Sequence, residues 1–207
     1  MRGFFAKKVF VLTVAAAALL TQTNSGLAAI DPAAITPLGL ETSIPFGWVE
    51  LCQRYPEECQ ENDQTAQDIN LTPAALRKIF QINLQVNKSI EPVTDQDQWG
   101  VIDQWDFPTQ GRGDCEDYAL LKRQKLIESG FPKSALLLTV VKEPNGDGHS
   151  VLTLKTDRGD YVLDNLNNQV KPWNKANYRF VKRQSQINPN VWLAIETGST
   201  VALYGAN

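Results

Sequence analysis

The sequence predicts an α+β fold, and three features predict it. Helical patterning is confined to the stretch before residue 130, a long hairpin follows directly, and further strand-like runs continue toward the C-terminus. With 207 residues, 43% hydrophobic and 21% charged, the chain has the composition of one globular domain large enough for a sizeable core.

The first 28 residues read as a signal peptide. Arg2, Lys7 and Lys8 precede the apolar run Val9 to Leu20, and small residues close the stretch at Gly26-Leu27-Ala28-Ala29. A run of about a dozen apolar residues is too short for a bilayer core that needs about 20, which makes an uncleaved anchor the lesser alternative. Cleavage after Ala28 removes three bases and no acid. The net charge then goes from −3 to about −6, residues 29–207 form the expected exported domain, and no transmembrane anchor remains.

Residues 29–46 carry Pro32, Pro37 and Pro45 with little periodicity, so an irregular arm is expected. Thr72-Pro73 supplies a cap and a first-turn proline, and Leu76, Ile79, Phe80, Ile82 and Leu84 continue a helix over about 73–88. Residues 90–113 read as a loop, yet contain Trp99, Trp105 and Phe107, aromatics expected as core, as loop packing or as a substrate wall. Asp114 is placed to cap a second helix through Ser129, with Glu116 and Asp117 in its first turn and Gly130 and Pro132 as stop signals. Ala135 to Val141, the turn Pro144-Asn145-Gly146-Asp147-Gly148 and His149 to Leu154 form the hairpin. A second turn at Asp157-Arg158-Gly159-Asp160 leads to Tyr161-Val162-Leu163-Asp164, and residues 178–183 and 191–195 supply further strands.

With 20 Lys+Arg against 23 Asp+Glu, the chain lacks the positive excess that an electrostatic grip on phosphates leaves, which argues against nucleic acid as a partner. Export permits disulfides, and three cysteines cannot all pair within one chain. Cys52 and Cys59 lie seven residues apart across Pro56, where a turn would join them in a disulfide; two unpaired buried thiols are the alternative. Cys115 is left over.

Cys115 falls in the first turn of the second helix, where the dipole and free amides stabilise a thiolate and offer donors to an oxyanion. Asp114, Glu116 and Asp117 act against it, because neighbouring negative charge raises a thiol pKa. An imidazolium beside the sulfur, or a cation held by the carboxylates, would offset them. The one histidine, His149, follows a glycine-rich turn at the mouth of a strand, and Asp164 on the next strand is placed to orient its ring. If Arg158-Gly159 is a two-residue loop, Asp164 opposes Thr153, on the face of His149 but four residues along, so contact requires a bulge or a shifted register. Each residue alone also has an ordinary role. Cys115 suits a small buried hydrophobe, His149 a solvated turn, Asp164 a strand end, and the three acids a helix start.

The order of helix-borne cysteine, strand-borne histidine and next-strand aspartate, with Gly113-Asp114-Cys115-Glu116-Asp117-Tyr118 around the first, resembles the signature of the bacterial transglutaminase-like cysteine proteinases, which include the LapG-type periplasmic proteases. The likeness extends to Trp48 through Cys59, Val86-Asn87, Thr94-Asp95, Trp99-Gly100, Trp105, Gly148-His149 and Leu163-Asp164-Asn165. It implies a papain-like, transglutaminase-like fold, with helices first and the nucleophile at a helix N-terminus packed on an antiparallel sheet. It further implies Cys115 as nucleophile, His149 as general base and acid, Asp164 as orienting acid, and calcium held by Asp114 and Glu116.

Hard oxygen ligands suit calcium, and a divalent cation would neutralise the acids beside the thiolate. Two or three carboxylates do not complete its shell, which leaves backbone carbonyls, waters, Asp95, Asp97 and Asp103 as open candidates. Zinc is disfavoured, since one histidine and one unpaired cysteine are a poor ligand set. The implied function is that of a periplasmic thiol protease acting on a protein substrate such as a cell-surface adhesin that controls attachment and biofilm. An inner-membrane cyclic-dinucleotide receptor is the implied regulatory partner. The same triad also serves acyl transfer to an amine, and a non-catalytic calcium- or protein-binding module is a third reading.

Overall fold

The fold is seen in a computed structural model, which describes residues 32–61 and 65–196. The predicted signal peptide and both ends of the expected 29–207 domain lie outside the described residues. Among those residues, no helix is long and apolar enough to cross a membrane.

The expected irregular arm ends sooner than the prolines suggest, because Leu38–Thr42 form an edge strand, β1. Its hydrogen bonds come from the far end of the chain, with Leu38 opposite Ile195 and Thr42 opposite Trp192, a pairing that no local pattern announces. Helix α1 (Phe46–Arg54) buries Gly47, Trp48 and Leu51 and runs into a 3-10 turn at Pro56–Cys59. Cys52 and Cys59 are joined by a disulfide across that turn. Helix α2 (Pro73–Ser89) opens on Thr72, whose Oγ1 accepts from the amide of Ala75 at 3.1 Å.

The predicted loop at 90–113 holds three short elements: β2 (Glu91–Pro92), α3 (Asp95–Trp99) and β3 (Arg112–Gly113), with β2 and β3 paired in parallel. Five residues are too few to show a helical period, so only the Thr94 cap, which accepts from the Asp97 amide at 3.2 Å, marks α3. Helix α4 spans Cys115–Glu128. The strands β4 (Leu136–Lys142), β5 (Gly148–Thr156), β6 (Gly159–Leu163), β7 (Lys171–Pro172), β8 (Arg179–Gln184) and β9 (Trp192–Ile195) complete an antiparallel seven-stranded sheet in the order β1-β9-β8-β4-β5-β6-β7.

Trp48 and Leu51 of α1, Ile79 and Val86 of α2, and Leu120 and Leu126 of α4 bury themselves against Leu136, Leu138, Leu152 and Leu154 of the sheet. Each such side chain removed from water contributes about 1.5–3 kcal/mol. The alternate residues Val141, Val151 and Val162 join Phe180 and Ile195 in a second cluster, so the central strands are apolar on both faces. The fold is thus α+β, with the helical segments preceding the main run of antiparallel strands.

The β5–β6 turn departs from expectation in a way that bears on the site. Thr156 pairs with Gly159, so the two-residue loop is Asp157-Arg158. Gly159 has φ +94° and an added Cβ would sit 2.0 Å from the carbonyl oxygen of Ala33, so only glycine closes this turn. Thr156 Oγ1 fixes it further, donating to the Gly159 carbonyl at 2.7 Å and accepting from the Arg158 amide at 3.0 Å. The last ladder pair is Leu152 with Leu163, which sets Asp164 at the level of Val151, two residues from His149 and on its face. The required shift comes from the turn, and no bulge is needed.

Candidate active site

Cys115 is the first residue of α4, partly exposed, and its sulfur lies 3.1 Å from Glu116 Oε2. Burial pushes the thiol well above its ordinary value, and the charge and hydrogen bond of Glu116 and the charge of Asp114 push the same way; a backbone hydrogen bond from Ser150 opposes them. The electrostatic objection raised by the sequence is therefore present in the structure. A thiolate here requires a positive partner.

His149, 5% exposed at the start of β5, lines the same cleft of about 380 Å³ as Cys115. Its Nε2 is 3.0 Å from Asp164 Oδ1. A carboxylate acceptor there makes Nε2 the protonated nitrogen and leaves Nδ1 for chemistry. Asp164 also accepts from the Leu166 amide at 3.0 Å and, on its other oxygen, from the Tyr178 hydroxyl at 2.6 Å. Burial alone would raise this carboxyl, but the hydrogen bonds from His149, Tyr178 and Leu166 outweigh it and hold the group below its ordinary value. The Tyr178 ring lies 5.3 Å from the imidazole, tilted by 44°. Tyr178 is a site residue that the sequence reading missed. It precedes β8, 14 positions beyond Asp164, and no spacing rule links the two.

Asp114 occupies the N-cap position of α4 but does not cap it, contrary to expectation. Its Oδ2 accepts from the Asp95 amide at 3.2 Å, and its Oδ1 is buried without a hydrogen-bond partner. Carboxylate oxygens of Asp95, Asp103 and Glu116 lie within 4.8 Å of one another, as do those of Asp95, Asp114 and Asp117. Burial first, and then the charge of Asp114, pushes Glu116 well above the usual carboxylate range; burial, with Asp114 and Asp95 adding, takes Asp117 up to about 8. Asp95 and Glu116 are 2% and 4% exposed, so the repulsion is not relieved by water. This donor set of buried carboxylates with an orphaned oxygen fits a hard divalent cation. Of the open candidates, Asp95 and Asp103 join the cluster. Asp97 turns away, its Oδ2 accepting from Thr94 Oγ1 at 2.9 Å.

Trp105 is buried at 3% exposure and contributes to the cleft, stacking edge-on with Trp48 and Trp192 at centroid distances of 6.3 and 6.1 Å. Trp99 is 42% exposed. The expected aromatic packing at the cleft is therefore provided by Trp105.

The arrangement places a thiol at a helix N-terminus, an imidazole oriented by a carboxylate, and an acid cluster in one cleft. That is the equipment of nucleophilic acyl chemistry. A model of the family described as bacterial transglutaminase-like cysteine proteinase matches residues 38–200. Among solved structures, LapG of Legionella pneumophila is similar at 25% identity and a TM-score of 0.50, over 60% of this chain and 71% of that one. A calcium-bound form of the same protein matches at 23% identity and 0.49 over 63% and 76%, and an EGTA-treated form at 23% and 0.49 over 62% and 70%. No curated protein matches the sequence.

Proposed function

The chain belongs to the bacterial transglutaminase-like cysteine proteinases, and from that premise we propose that Cys115, His149 and Asp164 are the triad of an exported, calcium-dependent endopeptidase. The observation that carries the assignment is the 3.0 Å contact between His149 Nε2 and Asp164 Oδ1, made in the cleft that Cys115 lines.

His149 Nδ1 takes the thiol proton, and the Cys115 sulfur attacks the scissile carbonyl. The tetrahedral oxyanion is received by amides at the α4 N-terminus. His149 returns the proton to the leaving amine, giving a thioester on Cys115. Water, deprotonated by the same imidazole, hydrolyses that thioester and frees the sulfur. Asp164 holds the ring in one tautomer throughout and stabilises the imidazolium.

Asp114 and Glu116 are the proposed calcium ligands, with Asp95 and Asp103 as further donors supported by their place in the cluster. Bound there, the ion would neutralise the acids that otherwise hold the thiol protonated. The signal-peptide pattern supports a periplasmic location for the mature chain from residue 29. A cell-surface adhesin as substrate, with control of attachment and biofilm, and an inner-membrane cyclic-dinucleotide receptor are proposed on family membership alone.

The test is iodoacetamide labelling across pH, with and without calcium, mapping the modified residue. Calcium should bring the reaction of Cys115 below the free-thiol value of about 8.5. An inert Cys115 in both conditions would overturn the proposal.

A further inference from the structure

Two segments that border the Cys115 cleft expose large apolar side chains. Ile44 and Phe46, at the start of α1, are 40% and 69% exposed, and Val101 and Ile102, after α3, are 41% and 94% exposed. Phe46 and Ile102 line the cleft itself. Local structure accounts for their outward placement. Phe46 opens α1, whose buried face is Gly47, Trp48 and Leu51, and Ile102 follows the left-handed Gly100 that ends α3.

Both rims are fastened to one buried side chain. Gly47 packs so closely on the Trp105 indole that an added Cβ would sit 2.2 Å from the ring, which fixes the start of α1. The same indole donates Nε1–H to Asp103 Oδ1 at 3.0 Å, next to Ile102, and the Gln104 amide is hydrogen-bonded to Asp95. Trp105 thus ties the backbone beside Phe46 to that beside Ile102 before any ligand arrives. Asp103, next to Ile102, also lines the cleft, with its Oδ1 taken up by the Trp105 indole. Lys182, the cation of the cleft, is committed to Ser43, donating to its carbonyl at 2.7 Å and its hydroxyl at 3.2 Å.

We propose that Phe46 and Ile102 form a specificity subsite that takes an uncharged, large apolar side chain of the polypeptide substrate next to the bond cut at Cys115. The inference rests on the peptidase reading and deepens it by naming the class of sequence that is cut. Continuity with the nucleophile's cleft argues for substrate as the occupant. Isolated surface hydrophobes need no explanation, but two that line the cleft of a thiol and are tied to one buried indole do.

The experiment digests a peptide library derived from a bacterial proteome with the calcium-loaded protein and reads the cut sites by mass spectrometry. The wild type should show Leu, Ile, Val, Phe or Met enriched at one fixed position from the cut. Phe46→Ser and Ile102→Ser should each erase that enrichment and lower kcat/KM on apolar peptides about tenfold or more, with the loss mainly in KM. Ile187→Ser, at an equally exposed site (65%) outside the cleft lining, should change nothing. Cys115 alkylation and the melting temperature, measured on every variant, should stay at wild-type values. Cutting without apolar enrichment, or enrichment that survives both substitutions, overturns the subsite while leaving the peptidase intact. Absence of any cutting despite a calcium-activated Cys115 overturns the peptidase reading and the subsite with it.

Discussion

Tyr178 donates to Asp164 on the carboxylate oxygen that His149 does not use, at 2.6 Å, while its ring lies against the imidazole. One side chain therefore restrains both members of the pair, the acid by a hydrogen bond and the base by contact. Tyr178→Phe keeps the ring and removes the bond, and should lower kcat about tenfold at unchanged KM. The chain holds a single histidine, so ¹⁵N-histidine NMR reads the effect without assignment. The variant should show faster tautomer exchange of His149. An unchanged spectrum would mean that Tyr178 does not position the pair.

Cys115→Ala should abolish turnover with a melting temperature within a degree or two of wild type, since the side chain is small and partly exposed at a helix start. Circular dichroism and peptide cleavage measured on one sample check both halves. Residual turnover at the wild-type rate would rule out the thiol mechanism.

Chelation should suppress activity and lower the melting temperature together, because an ion bound only by the native state stabilises it, by about 2.7 kcal/mol at a hundredfold excess over Kd. Asp114→Asn should weaken this response, and Glu116→Gln should do the same. Calorimetric titration of chelated protein with calcium reads it directly. A melting temperature indifferent to chelator would return the acids to an ordinary helix start.

Lys122 is buried at 1% exposure, its ammonium 5.8 Å from the centroid of the Tyr118 ring. Burial pushes it down from 10.5 to about 7, against the opposing pull of Asp164. Between those values the unfolded chain binds a proton that the native state does not. Stability therefore falls as pH drops from about 10.5 to 7, and the deficit is complete below 7. Lys122→Met removes it, so the variant should melt higher than wild type at pH 7 and near wild type at pH 10.5, a gain on the order of a few kcal/mol at neutral pH. Equal shifts at both pH values would show that packing, not charge, is responsible.

Helix α2 and the β4–β5 hairpin were legible because each repeats its period long enough to be counted and each ends on a strong local signal, Thr72-Pro73 in one and the Asn145-Gly146 turn in the other. Strand β1 was not legible, since its partner β9 lies some 150 positions away, and α3 is shorter than a readable period. Cys115, His149 and Asp164 could be picked out because cysteine and histidine are scarce in the chain. Their mutual geometry could not, because it hangs on one residue in the placement of the β5–β6 turn. Tyr178 and the choice of Asp103 over Asp97 in the acid cluster depend on loop paths that only tertiary packing decides.

That turn carries a constraint of an unusual kind. Surface loops of two residues are where a chain ordinarily tolerates gained or lost positions. Here an extra residue between Thr156 and Gly159 that moved the ladder by one position would turn the Asp164 carboxylate to the opposite side of the sheet, without altering any atom of His149 or Cys115. The length of Asp157-Arg158 is therefore as much a part of the proposed triad as the identity of its three side chains. A homologue that keeps all three but differs there in length should be a folded protein with a silent cleft.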